Sequence, residues 1–153
     1  MPAKPIPEGY HTVTPYLLVD GAAEAIEFYK KAFDATEKLR LPGPEGKVMH
    51  AEIQIGDSRV MLSDEFEALD AFGPKTRGGT TVPFCIYVEN VDAKYAQALA
   101  AGGRETRPLQ DQFYGDRSGT FEDPFGHQWT IATHIEDLTN EEISKRMSAM
   151  GQG

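Results

Sequence analysis

The segment from Tyr114 to Asp137, YGDRSGTFEDPFGHQWTIATHIED, decides the fold of this chain. It contains two short β-type runs joined by a tight Asp-Pro-Phe-Gly turn. Pro124 fixes its own φ and biases the residue before it toward an extended conformation, while Gly126 can adopt the left-handed angles that close a turn. The two runs therefore predict an antiparallel hairpin. In this hairpin Thr120 and Thr130 share one face, and the only tryptophan of the chain lies on the other.

Outward from this hairpin, the sequence reads as two halves of the same kind. VDGAAEAIEFYKKAFDA begins at Val19 and VENVDAKYAQALAAGGR begins at Val88, 69 residues later. Each segment follows an apolar strand-like run and then takes up a helical period, which predicts helices near Ala22–Asp34 and Val91–Ala101. Three strand-like runs follow each helix. The pattern predicts an α+β fold built from two βαβββ modules.

The DPFGHQWTIATHIED stretch and the repeat together closely resemble PhnB-like proteins of the vicinal-oxygen-chelate superfamily. That superfamily includes glyoxalase I, bleomycin-binding proteins, fosfomycin-modifying enzymes and extradiol dioxygenases. The resemblance covers about residues 11–137. It implies that the eight strands form an open, curved eight-stranded sheet whose concave face is the ligand site. It also implies a homodimer, because exposed strand edges invite pairing between modules.

The same segments predict one domain flanked by short extensions. Thr139 followed by Glu142 is a capping box, which predicts a C-terminal helix. We expect its apolar stripe to pack on its own domain; a dimer contact is the alternative. The expected boundaries are an N-terminal arm at 1–9, a single domain at 10–138 with modules at about 10–64 and 82–136, an exposed linker at 65–81, and the C-terminal helix and tail at 139–153.

The composition excludes several classes of partner. A formal charge of −9 with scattered basic residues argues against nucleic acid and against acidic membranes. No apolar run approaches the ~20 residues of a membrane span, and the N-terminus lacks the apolar core of a signal peptide. A single cysteine, Cys85, excludes an internal disulfide and suits a reducing compartment. We therefore expect a cytoplasmic protein.

The metal site of the superfamily takes one ligand from each of four strands. Counting by register places those positions at Thr14, Val60, Pro83 and Thr130. A neutral hydroxyl is a poor ligand, and Val and Pro supply no side-chain donor. The expectation is that no metal and no other cofactor is bound, which argues against the usual metal-dependent chemistry of glyoxalase I and the dioxygenases.

One histidine has a pattern that suggests chemistry. His50 alternates with Glu52 and Gln54 in the strand MHAEIQI, so the three side chains share a face. The apolar residues between them must pack under the helices, which directs His50 toward the concave face. His50 and Glu52 are then a candidate acid–base pair, the carboxylate orienting the imidazole. The alternative is that this face is ordinary solvated surface.

Hydroxyl and aromatic side chains complete the expected ligand face. Tyr16 and Tyr87 are expected to point inward, Tyr114 lies in a loop where a lid would be, and Cys85 has no neighbouring base to activate it. Arg117 would recognise an anionic group or form a structural ion pair. The apolar Val60 and Leu62 are expected to contribute to the same face. The candidate ligand-binding residues are Tyr16, His50, Gln54, Cys85, Tyr87, Tyr114, Arg117, Thr120 and Thr130.

Three functions remain open from the sequence. The first is binding of a small organic molecule in the concave cleft, with a cationic ligand favoured by the acidic surface. The second is an isomerase, lyase or hydrolase type of enzyme that uses His50 and Glu52. The third is a structural or regulatory dimer. An open aromatic cleft would favour the first, a hydrogen bond between His50 and Glu52 the second, and a closed, dry face the third.

Overall fold

The structure, a computed structural model, describes residues 2–151. Short 3₁₀ turns occupy Pro44–Gly46 and Glu67–Leu69. Among the described residues, no helix combines the length and apolarity that crossing a bilayer requires. The strands and helices in chain order are β1 (Tyr16–Val19), α1 (Ala22–Phe33), β2 (Thr36–Pro42), β3 (Val48–Ile55), β4 (Ser58–Asp64), α2 (Pro74–Arg77), β5 (Phe84–Tyr87), α3 (Val91–Ala101), β6 (Arg104–Asp111), β7 (Asp116–Glu122), β8 (Gln128–His134) and α4 (Asn140–Gly151).

The strands form two four-stranded sheets with the same topology. The orders are β1-β4-β3-β2 and β5-β8-β7-β6, and in each sheet the first pair is parallel and the others are antiparallel. The α+β class and the two βαβββ modules are therefore confirmed. The predicted helices agree with α1 and α3 to within one residue. The eight strands are divided equally between the modules, each module forming its own curved sheet.

Both sheets pack one face against a shared core that contains α1 and α3. Phe28 and Phe33 of α1 contact Phe121 of the second module, and Phe33 also contacts Trp129 at a ring-centroid distance of 4.8 Å. Burying one such side chain contributes roughly 1.5–3 kcal/mol. The first helix thus belongs to the core of both modules. Because each sheet uses one face for this core, the opposite faces of the two sheets are left for other roles.

Each module holds its helix N-terminus with a side chain from the end of its last strand. Asp64 Oδ1 accepts hydrogen bonds from the N–H groups of Gly21 and Ala22, at 2.9 and 3.0 Å. Thr133 Oγ1 accepts from the N–H group of Val91 at 3.0 Å. These are donors that a helix leaves unsatisfied at its start. A carboxylate therefore accepts the N-terminal helix N–H groups in the first module, and a hydroxyl does so in the second.

The segment between the modules is only partly the exposed linker that was expected. Gly73 and Pro74 are buried, and a Cβ added to Gly73 would lie 2.6 Å from the Leu18 carbonyl oxygen. This close approach to β1 requires a glycine. Further along, Gly78 and Gly79 are exposed and have positive φ, and a Cβ added to either of them would meet no other atom within 4 Å.

The C-terminal helix differs from expectation. Its capping box is confirmed, because Glu142 N–H donates to Thr139 Oγ1 at 3.1 Å and Thr139 N–H donates to Glu142 Oε2 at 3.0 Å. Packing on its own domain was expected, and this was wrong: none of the described residues of α4 is buried. The helix is instead attached by an ion pair between its Arg146 and Glu136 in the segment before it.

Candidate functional site

Rows of paired residues define the face of each sheet that points away from the core. We call these two surfaces the outer faces. The internal repeat relates the two rows: each residue of the first row has its equivalent in the second row 68 or 69 residues later. In strand order they are Tyr16, Met61, Glu52 and Leu39 in the first module and Cys85, Thr130, Thr120 and Arg107 in the second.

These rows correct several assignments made from the sequence. Val60 and Leu62 were expected on the same face as Thr130, but they are 5% and 0% exposed and point to the core side of the sheet, where Val60 lines a cavity between the modules. The residue equivalent to Thr130 is Met61. The repeat mate of Tyr16 is Cys85, and Tyr87 lies two residues further along the same strand face.

The outer face of the first module carries a hydrogen-bonded chain of four side chains. Tyr16 Oη lies 2.8 Å from His50 Nδ1, and His50 Nε2 lies 2.9 Å from Glu52 Oε2. Tyr10, from the N-terminal arm, donates its hydroxyl proton to Glu52 Oε1. A carboxylate only accepts hydrogen bonds, so the proton of the imidazole lies on Nε2. In this tautomer Nδ1 accepts a hydrogen bond from the Tyr16 hydroxyl. The expected pairing of His50 with Glu52 is present.

The same hydrogen bonds set the charge states of Glu52 and Tyr10. The hydrogen bond from Tyr10, followed by that from His50, lowers the pKa of Glu52 below its usual value. Desolvation and the Glu52 carboxylate raise the pKa of Tyr10 to about 12. Glu52 is therefore ionised at neutral pH and Tyr10 is protonated. The carboxylate orients the imidazole, which leaves His50 as the group able to exchange a proton with a ligand through Nδ1.

The outer face of the second module has its own polar cluster. Tyr87 donates a 2.6 Å hydrogen bond to Asp116 Oδ2, and His134 contacts Asp116 through Nδ1 and Asp137 through Nε2, both at 2.8 Å. The hydrogen bond to Asp116, followed by that to Asp137, raises the pKa of His134. The hydrogen bond to Asp116 likewise raises the pKa of Tyr87 to about 12. Asp116 is buried and holds this cluster together.

Cys85 lies beside this cluster and is exposed. Partial desolvation and the nearby Asp116 carboxylate raise the pKa of Cys85. A raised pKa lowers the thiolate fraction, so Cys85 has the properties of a wall residue and not those of a nucleophile.

The remaining candidates fall in different places. Thr120 and Thr130 are paired across the sheet with their hydroxyl oxygens 2.8 Å apart. Tyr114 is 40% exposed in the loop before β7. Gln54 donates to the Gly56 carbonyl at 3.0 Å. Arg117 does not share the outer face with Thr120, because the two are three residues apart in one strand.

Arg117 forms ion pairs on the helix side of its sheet. Its Nη2 lies 3.0 Å from Asp92 Oδ1 of α3, and its Nη1 lies 3.1 Å from Asp111 Oδ1. The alternative of a structural ion pair is the one that the geometry supports.

A cavity of about 460 Å³ lies where the two modules meet. One wall comes from residues 11–15 and the β3–β4 hairpin of the first module, and the other comes from β5 and Trp129 of the second. We call it the seam cleft. A neighbouring cavity of about 370 Å³ shares Ile55, Gly56, Ile86 and Tyr87 with it and extends to Gln54.

The residues at the superfamily metal positions do not fit a transition metal. With the register corrected, these positions hold Thr14, Met61, Pro83 and Thr130, which offer hydroxyls, one thioether and no imidazole or carboxylate. Within residues 2–151, no group of three or more His, Cys, Asp or Glu side chains is arranged to hold a metal ion. His50 and Glu52 would be two ligands from one strand, and their facing atoms already bond each other.

Comparison with known proteins decides the family. Residues 10–131 match the family model of the Glyoxalase/Bleomycin resistance protein/Dioxygenase superfamily. The chain belongs to this superfamily. Rv0887c, an uncharacterized protein of Mycobacterium tuberculosis, is 43% identical to this chain over 144 residues. The match covers 92% of this chain and 85% of Rv0887c.

Solved structures agree with this membership. Protein PA1353 from Pseudomonas aeruginosa superimposes with a TM-score of 0.65 at 27% identity, over 82% of this chain and 99% of that one. The PhnB protein from Bacillus cereus, described as a putative 3-demethylubiquinone-9 3-methyltransferase, gives a TM-score of 0.60 at 22% identity, over 80% and 99% of the two chains. The latter likeness concerns the fold, and it confirms the predicted resemblance to PhnB-like proteins.

Three residues of the site were missed from the sequence. Tyr10 and Arg59 meet because the N-terminal arm folds back on β4, placing the Arg59 guanidinium 5.4 Å from the Tyr10 ring centroid. No local pattern signals that contact. Asp116 was not among the candidates, although strand alternation from Thr120 places it on the outer face.

Proposed function

We propose that this superfamily member binds a small organic molecule in the seam cleft and on the outer faces beside it, without a divalent metal. The observation that carries the proposal is the cleft itself. Its volume of about 460 Å³ falls within the ~300–1,000 Å³ of small-molecule sites. Val13, Phe84, Ile86 and Trp129 give it apolar walls, and Tyr87 and Arg59 add polar groups, a combination typical of such sites.

We further propose that a second copy of the chain completes this site. Large side chains on the outer faces are exposed in the single chain, among them Tyr16 at 47%, Leu41 at 46% and Tyr87 at 63%. Large apolar side chains left exposed in this way on both faces are typical of an interaction site. A homodimer would cover them and enclose the ligand. We also propose that it has no nucleic-acid or membrane partner, in agreement with the charge of −9, and a cytoplasmic location, in agreement with its single cysteine.

A thermal-shift screen against metabolites and antibiotics, run in EDTA, tests the proposal. Compounds that bind the folded protein should raise the melting temperature without metal. Cys85→Tyr should abolish these shifts by filling the cleft, whereas Cys85→Ser, which keeps its volume, should preserve them. The absence of any stabilising compound, or shifts that survive in Cys85→Tyr, would contradict binding in the seam cleft.

The 2.9 Å contact between His50 and Glu52 favours a second candidate function. An acid–base enzyme of the isomerase, lyase or hydrolase type would use His50 Nδ1 to take a proton from substrate, with Glu52 holding the proton on Nε2. Tyr16, which occupies Nδ1, would then be displaced by the substrate or relay the proton.

Deuterium exchange separates the two candidates. Each compound that stabilises the protein is incubated with it in D₂O and followed by NMR. A proton-abstracting enzyme should introduce deuterium into the ligand or convert it, and His50→Gln should stop this while the ligand still binds. A pure binder should leave the ligand unchanged with either protein.

A further inference from the structure

Arg59 is a half-buried cation for which residues 2–151 provide no anionic partner. Its guanidinium makes no hydrogen bond or ion pair within this part of the chain, and its Nε is buried without an acceptor. Arg107 also lacks a carboxylate partner, but it is exposed to solvent. The other arginines pair with carboxylates: Arg40, Arg77, Arg104, Arg117 and Arg146.

The surroundings hold the Arg59 side chain in place. The Tyr10 ring lies 5.4 Å from the guanidinium, within the range of a cation–π contact. Gly9 is so close that an added Cβ would lie 3.0 Å from Arg59 Nη2. Glu52 interacts electrostatically with Arg59 but directs its two oxygens to Tyr10 and His50. The charge of Arg59 is therefore kept near Glu52 without being paired to it.

The unpaired guanidinium belongs to the seam cleft. Arg59 lines this cavity together with Val13 and, from the other module, with Phe84 and Cys85. His11 lines it too, but its Nε2 already contacts the Asp57 carbonyl oxygen at 3.1 Å. A planar guanidinium presents a fork of N–H donors that matches carboxylates and related oxyanions. The cleft thus combines apolar walls with one cation whose Nη donors have no partner among residues 2–151.

We propose that Arg59 recognises the anionic group of the ligand, and that the ligand is an amphipathic anion whose carboxylate or similar oxyanion is attached to an apolar, ring-sized body. This rests on the proposed function, and it names the class of molecule bound. It also reverses the expectation of a cationic ligand based on the net charge. That expectation concerns long-range attraction, which salt screens over ~8 Å, whereas a ligand inside the cleft meets the guanidinium directly.

Matched probes test the inference on the intact protein. 1-Naphthoate and 1-naphthalenesulfonate carry an anionic group on a two-ring body, and 1-naphthamide is the neutral counterpart. Binding is measured by isothermal titration and by the fluorescence of Trp129, the only tryptophan and a residue of the cleft wall. The two anions should bind at least about tenfold more tightly than the amide, as expected for hydrogen bonds to a charged group.

Substitutions then assign the effect to Arg59. Arg59→Gln should bring the affinity for the anions down to that for the amide, and should leave the amide unchanged. Arg77→Gln, which removes the same charge from an exposed arginine of α2 that does not line the cleft, should leave all three affinities within about twofold. Should Arg59→Gln fail to fold, the anion–amide comparison on the unmodified protein decides the question.

The possible failures are distinguishable. Equal binding of anions and amide, or anion binding that survives in Arg59→Gln, overturns this inference but leaves a small-molecule binder standing. Failure of all three probes to bind at millimolar concentration, while the metabolite screen yields neutral or cationic ligands, also overturns it. Failure of the probes together with the whole screen overturns the proposed function as well.

Discussion

The Tyr29 hydroxyl donates a 2.6 Å hydrogen bond to Asp123 Oδ2, which joins α1 of the first module to the hairpin turn of the second. Trp129 Nε1 donates to the same oxygen at 2.8 Å, and the N–H groups of Phe125 and His127 donate to the other oxygen. The carboxylate is buried, and four donors satisfy it. Burial, followed by the Asp123 charge, raises the pKa of Tyr29 well above its ordinary value.

Removing this hydroxyl should weaken the contact between the modules. We expect Tyr29→Phe to lower the free energy of unfolding by ~1.5–3 kcal/mol, because a buried hydrogen bond to a charged acceptor is lost. Asp123→Ala should cost more, since it leaves buried donors without an acceptor. Urea denaturation measures both. Tyr114→Phe, in an exposed loop, is the control and should change stability little; equal effects of the two Tyr→Phe changes would contradict the assignment.

Stability should depend on pH through His134. Because hydrogen bonds to Asp116 and Asp137 raise the pKa of His134 in the folded state, its contribution is complete below the unfolded pKa of about 6.5. The contribution is then lost as the pH rises through the folded pKa. Melting temperatures measured between pH 5.5 and about 9 should therefore fall less steeply in His134→Gln than in the unmodified protein. His11→Gln serves as the control, and identical profiles for all three proteins would contradict the prediction.

Divalent metals should leave the melting temperature unchanged. The positions of the superfamily ligands hold Thr14, Met61, Pro83 and Thr130, which do not suit Ni²⁺, Zn²⁺ or Mn²⁺. A site at 100 times its dissociation constant would add ~2.7 kcal/mol of stability, which is easily measured. The protein is first treated with EDTA and then titrated with each metal. A metal-dependent rise that disappears in His50→Ala would show that His50 belongs to an unusual metal site.

In solution we expect a dimer of the 16.9 kDa chain. The reason is the set of apolar side chains exposed on the outer faces, which the single chain leaves uncovered. Sedimentation equilibrium at micromolar concentration should give twice the mass of the chain. Tyr87→Glu should shift the equilibrium toward monomer, whereas Lys38→Glu, an exposed change on β2, should not. A single species of 16.9 kDa in the unmodified protein would rule out the dimer.

Much of the fold was readable from the sequence because its signals are local. The Asp-Pro-Phe-Gly turn predicted the last hairpin, and Thr120 and Thr130 are indeed cross-strand partners. The repeat of strand and helix patterns predicted both modules. These features depend on residues close in sequence, where turn geometry and side-chain periodicity act directly.

The register of the first module was misread for a physical reason. Counting from the turn glycine assumed that both hairpins turn alike, but Ile55 pairs with Ser58 across a two-residue turn, whereas Glu122 pairs with Gln128 across five residues. A difference of an odd number of residues moves every later side chain to the other face of the strand. Val60 was therefore assigned to the outer face in place of Met61.

The site was less predictable than the fold because its key contacts join distant segments. Tyr10 reaches Glu52 from 42 residues away, and Arg59 is exposed to the seam cleft only because β5 lies across from it. Nothing in the sequence around Arg59 distinguishes it from the arginines that form ion pairs. The pairing of His50 with Glu52 was foreseeable, since the two residues are neighbours on one face of a single strand.

The exposed glycine pair at Gly78 and Gly79 has a consequence for the continuity of the chain. A protease that cut there would break the covalent link between the two repeats. The aromatic core would still hold them together, because Phe33 of the first module packs on Phe121 and Trp129 of the second. The two halves should therefore remain associated as a nicked protein. When the two halves are produced as separate polypeptides, they should assemble into the same structure. The products of two separate genes would have had to assemble in this way if the repeat arose by gene fusion.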